Sequence, residues 1–463
     1  MEEKMFLGNA EKKGAGGVLG MDLDDRYAQI SFCPSGGQKP ETLCAETEGE
    51  ESMIPAVLCR RTDRDVWTYG REALEVSGKG EGVLVDRLLS RALRREQVEA
   101  AGEIFDATAL LALFIKRSLS LPGGSARGMG HAPLRLEKID FFMFTFERVD
   151  NQVLEMTEKI ALLLSLPPDR VSCQSRAESF FYYNINQPPE LWRHQCLICD
   201  FGGRTLRTLL FEASHHTRPV TVTVSEEEHA GLARELPEKE ECQKGEYEAK
   251  KPEQERAEEM DGAFLALFRK LSEGRIIDTV YLIGDGFDGD WYPNTLQAMC
   301  QNRRVFRGNN LYSKGACYAG GYKAAQKSGR KTDPEYVYLG RDMLKVNLGL
   351  EAERRGEEIC FPLLDAGMNW FDAGGECDFL LDTDHAFSLR MSFVNGKKVR
   401  QIVVTLSGVP DRPAGTTRIH LTASCPDAET VKLRMEDRGF GEFCPSSGLI
   451  WEEQLSIADA LKD

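Results

Sequence analysis

The sequence has no long apolar run. Its longest, such as Ala109–Ile115, falls far short of the roughly 20 residues that a membrane-spanning helix needs. The opening MEEKMFLGNAEKKGAGG has no apolar stretch and no cleavage site, so no secretory leader is expected. Positive charge is in deficit: 58 Lys and Arg stand against 74 Asp and Glu, a formal net charge of -16. Such a surface repels phosphate backbones, and no nucleic-acid partner is expected. Histidine is scarce, seven in all, and HExxH spacing is missing. The adjacent pair His215 and His216 reads as a strand end or turn. Cysteine is plentiful at thirteen, but the spacing outlines no disulfide framework, so reduced thiols and a cytoplasmic location are expected. Cys196 and Cys199 form a CxxC inside a strand-like run with no second pair, which favours a buried strand over zinc.

What is present fits a globular protein of two or three domains: 41% apolar and 29% charged residues over 463 positions. Residues 1–16 read as a flexible tail. From Val18, VLGMDLDDRYAQISF predicts two short strands around a turn at Asp24–Asp25. Further strands are predicted near Ile54–Cys59 and Asp65–Tyr69. Residues 83–119 read as two helical pieces parted near Ala101–Gly102, and Leu119–His131 as a loop. IDFFMFTF (139–146) is a strongly apolar strand, and Val149, Val153, Met156, Ile160 and Leu163–Leu164 carry helical spacing after it. A short strand at Arg170–Cys173 precedes a helix through Tyr183. CLICDFGGRTLRTLLFEA (196–213) is a hairpin, and a strand is predicted at 219–225.

Residues 226–259 hold 13 acidic and 6 basic residues and two prolines, and read as a solvated acidic insertion. A helix over 260–273, a buried strand over 276–284, a short strand at Arg304–Phe306 and a helix across 309–325 follow. QKSGRKTDPEY (326–336) is linker-like. Beyond about 340, short runs alternate with period two between turns such as Asn395–Gly396, Pro410–Asp411, Pro426–Asp427 and Arg438–Gly439. That pattern predicts an antiparallel β-sandwich.

Three turns carry candidate chemistry. GMDLDDRY holds Asp22, CDFGGRTL holds Asp200 ahead of Gly202–Gly203, and LIGDGFDG (282–289) follows a buried strand. A carboxylate at a hairpin turn can hold a hydrated magnesium ion. Glycine amides approach phosphate oxygens because no side chain blocks them. Two such hairpins, each led by an apolar strand, suggest a duplicated architecture around one phosphate site. All three turns in this order favour nucleotide binding.

The order DLxxxY, DFGGxT and LIGDGF, with the small-residue helix NNLYSKGACYAGG (309–321), resembles the actin-like ATPase superfamily, and more specifically the heat-shock protein 70 family. VYLGRDMLKVNLGLEA (337–352) is similar to that family's hydrophobic linker and the first strand of its peptide-binding domain. LSGVPDRPAGTTRIHLTASCPDAETVKLRMEDRGFGE (406–442) is similar to the most recognisable stretch of that domain. The resemblance implies an α/β actin-like ATPase domain of duplicated ribonuclease-H-like halves over 17–330, with the acidic insertion at 226–259. A linker at 331–345, an antiparallel β-sandwich over 346–451 and a C-terminal tail at 452–463 complete the layout. It implies ATP or ADP with magnesium as ligand. Asp22 and Asp200 match metal-holding aspartates that act through water. Gly202 and Gly203 match phosphate-side glycines, Thr205 matches a threonine near the γ-phosphate and is the candidate catalytic residue, and Gly284 and Gly286 match adenosine-side glycines.

The departures shape the expected activity. Asp24, Asp25 and Arg26 replace the family's Gly-Thr-Thr. Two extra carboxylates repel a triphosphate unless a cation intervenes, and Arg26 is the candidate compensating cation. The family's catalytic lysine falls near Asp86, beside Arg87, and its glutamate near Gln174. These losses predict weak or absent hydrolysis. No long lid helix follows residue 451, so a peptide held by strand addition or in an apolar trough is expected to leave quickly. Met368, Trp370 and Phe371 are the candidate peptide contacts, with sandwich-core packing an equal reading. The expectation is thus a divergent, lidless bacterial relative of the family, a nucleotide-binding switch or scaffold with a protein or peptide partner. The alternatives are an active ATP-dependent chaperone using Arg87 or Arg26, and an actin-like filament protein; a sugar or acetate kinase ranks below both.

Overall fold

The computed structural model describes residues 16–37, 39–43, 52–119, 136–233, 253–329, 335–382, 385–394 and 398–462. The chain divides into two units. One comprises 1–213 with 224–334, the other 214–223 with 335–463.

In the first unit, β1 (Gly17–Leu23) turns back as β2 (Tyr27–Pro34), which pairs with β3 (Glu41–Thr42). β4 (Ile139–Phe146) lies parallel to β1 on its other side, and β5 (Val171–Ser175) is parallel to β4. The order is β3-β2-β1-β4-β5. The second sheet repeats it. β6 (Gln195–Asp200) and β7 (Thr205–Ser214) form an antiparallel hairpin flanked by β8 (Val220–Ala233). β9 (Ile277–Ile283) is parallel to β6, and β10 (Arg304–Arg307) is parallel to β9, giving β8-β7-β6-β9-β10. The helices repeat as well. α1 (Ala107–Ser118), α2 (Asn151–Leu163) and α3 (Arg176–Ile185) precede β4, precede β5 and follow β5. α4 (Glu253–Ser272), α5 (Pro293–Met299) and α6 (Leu311–Lys327) hold the matching places around β9 and β10.

The sequence explains these elements. β4 is apolar almost throughout because it is flanked by parallel strands and covered on both faces; Phe142 stacks on Phe144 with ring centroids 4.1 Å apart. The small-residue helix α6 packs on α3, β1 and β4. A Cβ on Gly315 would lie 1.8 Å from the Ser179 carbonyl oxygen, and one on Gly20 would lie 2.2 Å from that of Ser313. Small residues are therefore what allow these backbones to meet. The Ser31 and Ser313 hydroxyls, 2.8 Å apart, share a buried hydrogen bond across the same contact.

The structure corrects several expectations in this unit. Residues 82–106 are not continuous helix. They contain a strand at Gly82–Val85, a short helix at Leu88–Leu93 and a hairpin of Gln97–Ala100 with Glu103–Asp106. The segment 226–259 is not a uniform spacer. β8 runs through 226–233 and α4 begins at Glu253, while 234–252 lie outside the described residues. The predicted tail over 1–15 and most of the loop at 119–131 also lie outside them. Burial pushes the Cys196 thiol up to about 12 and raises that of Cys199 further, as buried-strand positions demand.

The second unit is built from two four-stranded antiparallel sheets. One orders Glu357–Leu364, Val346–Arg354, Ala386–Phe393 and Val399–Thr405. The other orders Gly374–Leu381, Thr417–Asp427, Thr430–Asp437 and Ile450–Ser456. Alternation is visible along Thr430–Asp437, whose Val431, Leu433 and Met435 are fully buried. Residues expected to be linker instead form the strand Tyr336–Leu339, parallel to Val220–Thr223. The expected tail at 452–463 is ordered as the end of strand Ile450–Ser456 and the helix Ile457–Lys462. The Asn395–Gly396 turn lies outside the described residues.

Candidate functional site

The two hairpin turns place their aspartates at matching register. Asp22, the penultimate residue of β1, lies opposite Thr145 of β4, and Asp200 closes β6 opposite Ile283 of β9. Both carboxylates are largely buried. The turn after β1 is shaped by Asp24, whose Oδ1 accepts from the backbone amides of Arg26 (2.8 Å) and Tyr27 (2.9 Å), an Asx turn. Asp25 accepts from the Ser90 amide at 2.8 Å and from the Ser90 hydroxyl, inside the first turn of the Leu88–Leu93 helix. The two extra carboxylates of this turn therefore have defined structural partners.

An arginine that the sequence reading passed over joins the two turns. Arg176 is the first residue of α3, directly after Ser175, whose hydroxyl caps that helix by accepting from the Glu178 amide at 3.3 Å. Its Nε donates to Asp22 Oδ1 at 2.9 Å and its Nη2 to Asp22 Oδ2 at 3.2 Å; Nη2 also donates to Asp24 Oδ2 at 3.0 Å. The guanidinium lies over the Tyr312 ring, 5.3 Å from its centroid. The Tyr312 hydroxyl in turn donates to Asp200 Oδ2 at 3.0 Å. Asp200 Oδ1 accepts from the Gly202 amide at 3.0 Å. Arg26 reaches the third turn, where its Nη1 sits 3.2 Å from both oxygens of Asp285.

Electrostatics follow from this crowding. Burial pushes Asp22 up to about 6 against the attraction of Arg176, and the nearby Asp24 and Asp200 charges act in the same direction as burial. Burial also acts to raise Asp24, but Arg176 and the two turn amides outweigh it and hold Asp24 below its ordinary value. Burial works against the charge of Arg176, yet the three surrounding carboxylates keep it firmly protonated. Burial raises the Tyr312 hydroxyl well above its ordinary value, and Asp200 adds to the effect.

The remaining candidates fall as follows. Gly284 has φ +101, and a Cβ there would lie 2.3 Å from the Gly202 nitrogen, so the second and third turns meet backbone to backbone. The Gly284 amide donates to Asn309 Oδ1 at 2.8 Å. Gly286 packs on Phe201, its amide donating to the Phe201 carbonyl at 3.0 Å. A Cβ on Gly202 would sit 3.2 Å from Asp200 Oδ1 and 3.4 Å from an Arg26 Nη, whereas nothing lies within 4 Å of one on Gly203. The Thr205 hydroxyl donates to Glu228 of β8. Gln174 is buried, its Nε2 donating to the Ser179 hydroxyl at 2.6 Å, and its Oε1 has no partner among the described residues. Arg87, the alternative lysine substitute, has a side chain 66% exposed and stands 3.9 Å from Asp86.

The donor set does not fit a magnesium ion held by Asp22 and Asp200. Arg176 takes both Asp22 oxygens, and the Gly202 amide and Tyr312 hydroxyl take those of Asp200. Among the described residues no group of three or more His, Cys, Asp or Glu side chains is arranged to hold a metal. In the second unit, Trp370 is a core residue, its backbone amide donating to the Asp342 carbonyl at 3.1 Å. Met368 and Phe371 are half-buried, and Phe371 packs edge-on against Trp370 at 5.3 Å.

Sequence reasoning looked for a charged group at Gln174 and missed Arg176 two positions on. The available signal was an arginine at a strand–helix junction, opposite a turn with an excess of aspartates. No helix among the described residues is long and apolar enough to cross a membrane. No curated protein matches the chain. A domain of unknown function, DUF8552, matches residues 343–457. The model of a family of unknown function, DUF5716 C-terminal, matches residues 39–341, more than half of the chain, and the protein belongs to that family.

Proposed function

We propose that the first unit is a nucleotide-binding domain of actin-like, heat-shock protein 70-like architecture, and that the chain works as a switch or scaffold with weak or no hydrolysis. The observation that carries this reading is the repeated strand order, with Asp22 and Asp200 at the same place in the two repeats. A carboxylate-bearing turn at the end of the first strand of each sheet converges on one cluster with Arg176 and Arg26, and two guanidiniums there are suited to phosphate oxygens. Gln174 is neutral and buried and Arg87 is exposed, so these two positions supply neither a base nor a buried cation for phosphoryl transfer, which supports binding over turnover. The sandwich is read as the part that takes a protein or peptide partner. Its strand Val399–Thr405 ends a sheet, the position strand addition requires, and exposes Val399 and Val403.

Calorimetric titration with ATP and ADP tests the reading on the wild type and on Asp200→Ala, with circular dichroism to check that the variant is folded. Binding in the wild type, weakened at least tenfold in the folded variant, with phosphate release at background, is the expected result. Absence of heat at millimolar nucleotide sinks the nucleotide reading. Turnover that depends on Asp200 and rises with unfolded peptide overturns the pseudo-enzyme part and restores the active-chaperone alternative.

A further inference from the structure

We infer that Arg176 is the resident counter-cation of the aspartate pair, standing where a divalent metal would otherwise bridge carboxylate and phosphate. This inference rests on the nucleotide-binding reading and adds that the site takes its nucleotide without magnesium. Four observations carry it. Arg176 binds Asp22 through two nitrogens and Asp24 through one of them, so its position is fixed from two sides. Its side chain is only 14% exposed, so the ion pair excludes most solvent. The Tyr312 ring supports its face and hands a hydroxyl hydrogen bond to Asp200, which couples the second aspartate to the same cation. One guanidinium lies among three carboxylates, bonded to Asp22 and Asp24 and attracted by the charge of Asp200.

The physical logic concerns charge and geometry. A magnesium ion needs oxygen ligands at short distances in near-octahedral array and keeps several waters. A bidentate guanidinium on Asp22 uses the same oxygens and brings one positive charge in a planar fork, fixed before any ligand arrives. Residues with three carboxylates and no such arginine would present strong unbalanced negative charge and recruit a divalent ion. With Arg176 in place, phosphate oxygens meet a preformed cation, and Arg26 beside Gly202 supplies a second.

Two titrations separate this inference from the reading it rests on. In the first, Mn2+ alone is titrated against the protein and followed by electron paramagnetic resonance. The wild type is expected to bind none at this cluster, and Arg176→Gln to gain one Mn2+ that Asp22→Asn removes. A wild-type Mn2+ site that Asp22→Asn abolishes overturns the inference, whatever nucleotides do. So does a folded Arg176→Gln protein that gains no site. In the second, ATP is titrated in EDTA and then in magnesium. Wild-type affinity is expected to differ less than twofold between the two, and Arg176→Gln to lose at least tenfold in EDTA and recover part of it in magnesium. Wild-type binding that vanishes in EDTA overturns the inference and leaves the nucleotide reading standing. If ATP binds under neither condition, both the nucleotide reading and the claim of magnesium-free binding fall. Arg176→Lys guards against misfolding of the glutamine variant: it keeps the charge, and is expected to stay free of Mn2+.

Discussion

Asp22 in the first unit and Asp437 in the second each hold an arginine with both carboxylate oxygens, yet their acidities move in opposite directions. Asp437 accepts from Arg412 at 3.1 and 2.9 Å, from the Gly439 and Ser447 amides at 2.8 Å and from the Ser447 hydroxyl at 2.6 Å. Burial works against its charge, but these donors outweigh burial and hold it well below the usual carboxylate range. Asp22 has two donors, both from an arginine it shares with Asp24, and Asp200 adds further negative charge. Its acidity shifts up to about 6. A carboxylate with every lone pair answered is a structural anchor. One that shares a single arginine with a neighbouring carboxylate in a buried cluster keeps an acidity shifted by burial and like charge.

The largest effect should come from breaking the satisfied pair. Asp437→Ala removes the buried acceptor of Arg412, two backbone amides and the Ser447 hydroxyl, and a loss of roughly 3 kcal/mol in urea denaturation is expected. Asp22→Asn should cost about 1 kcal/mol or less, because Arg176 retains Asp24 while one crowded charge disappears. Equal costs for the two substitutions would erase the contrast. The backbone beside Asp200 comes next. Gly284→Ala forces a side chain onto φ +101 and against the Gly202 nitrogen, and should lower stability by about 2 kcal/mol. Gly203→Ala, in open space, should stay within about 0.5 kcal/mol.

Acidity sharpens the comparison further. The Asp437 contribution is present above its ordinary value of 3.8 and is lost as pH falls below it. Asp22 runs the other way. Its folded value of about 6 lies above its ordinary 3.8, so its contribution is full below 3.8 and is lost as pH rises through 6. Melting curves between these two values should show Asp22→Asn flattening a decline with rising pH that Asp437→Asn leaves in place. Arg26→Ala is also expected to have a small effect on stability. Its pair with Asp285 is about a third exposed, so stability should change by about 1 kcal/mol or less, while ATP affinity measured by calorimetry falls.

Much of the architecture was legible in the chain. The run 139–146 is apolar enough to name a central strand, and the observed β4 has those bounds. The hairpins around Asp22 and Asp200 were readable from apolar strands closing on polar or glycine turns. The hairpin over 97–106 was not, because Glu, Gln and Ala suit helices and only pairing of Val98 with Phe105 reveals the strands. Residues 226–233 read as spacer because they are charged. They form a strand because the Glu226, Glu228 and His229 side chains find Arg207, Thr205 and Thr208 on β7.

Periodicity, turn chemistry and glycine placement are local properties, so the sequence alone determined the repeated hairpins, the antiparallel strands of the second unit and the close-packed small-residue helix. Which charge meets which is a long-range property. Asp22 and Arg176 are joined only because the parallel strands β1, β4 and β5 end side by side, and Tyr312 reaches Asp200 only because α6 begins beside β6. The tertiary structure alone decided that the aspartates share an arginine, because ion pairing depends on distance and burial, neither of which is written in spacing along the chain.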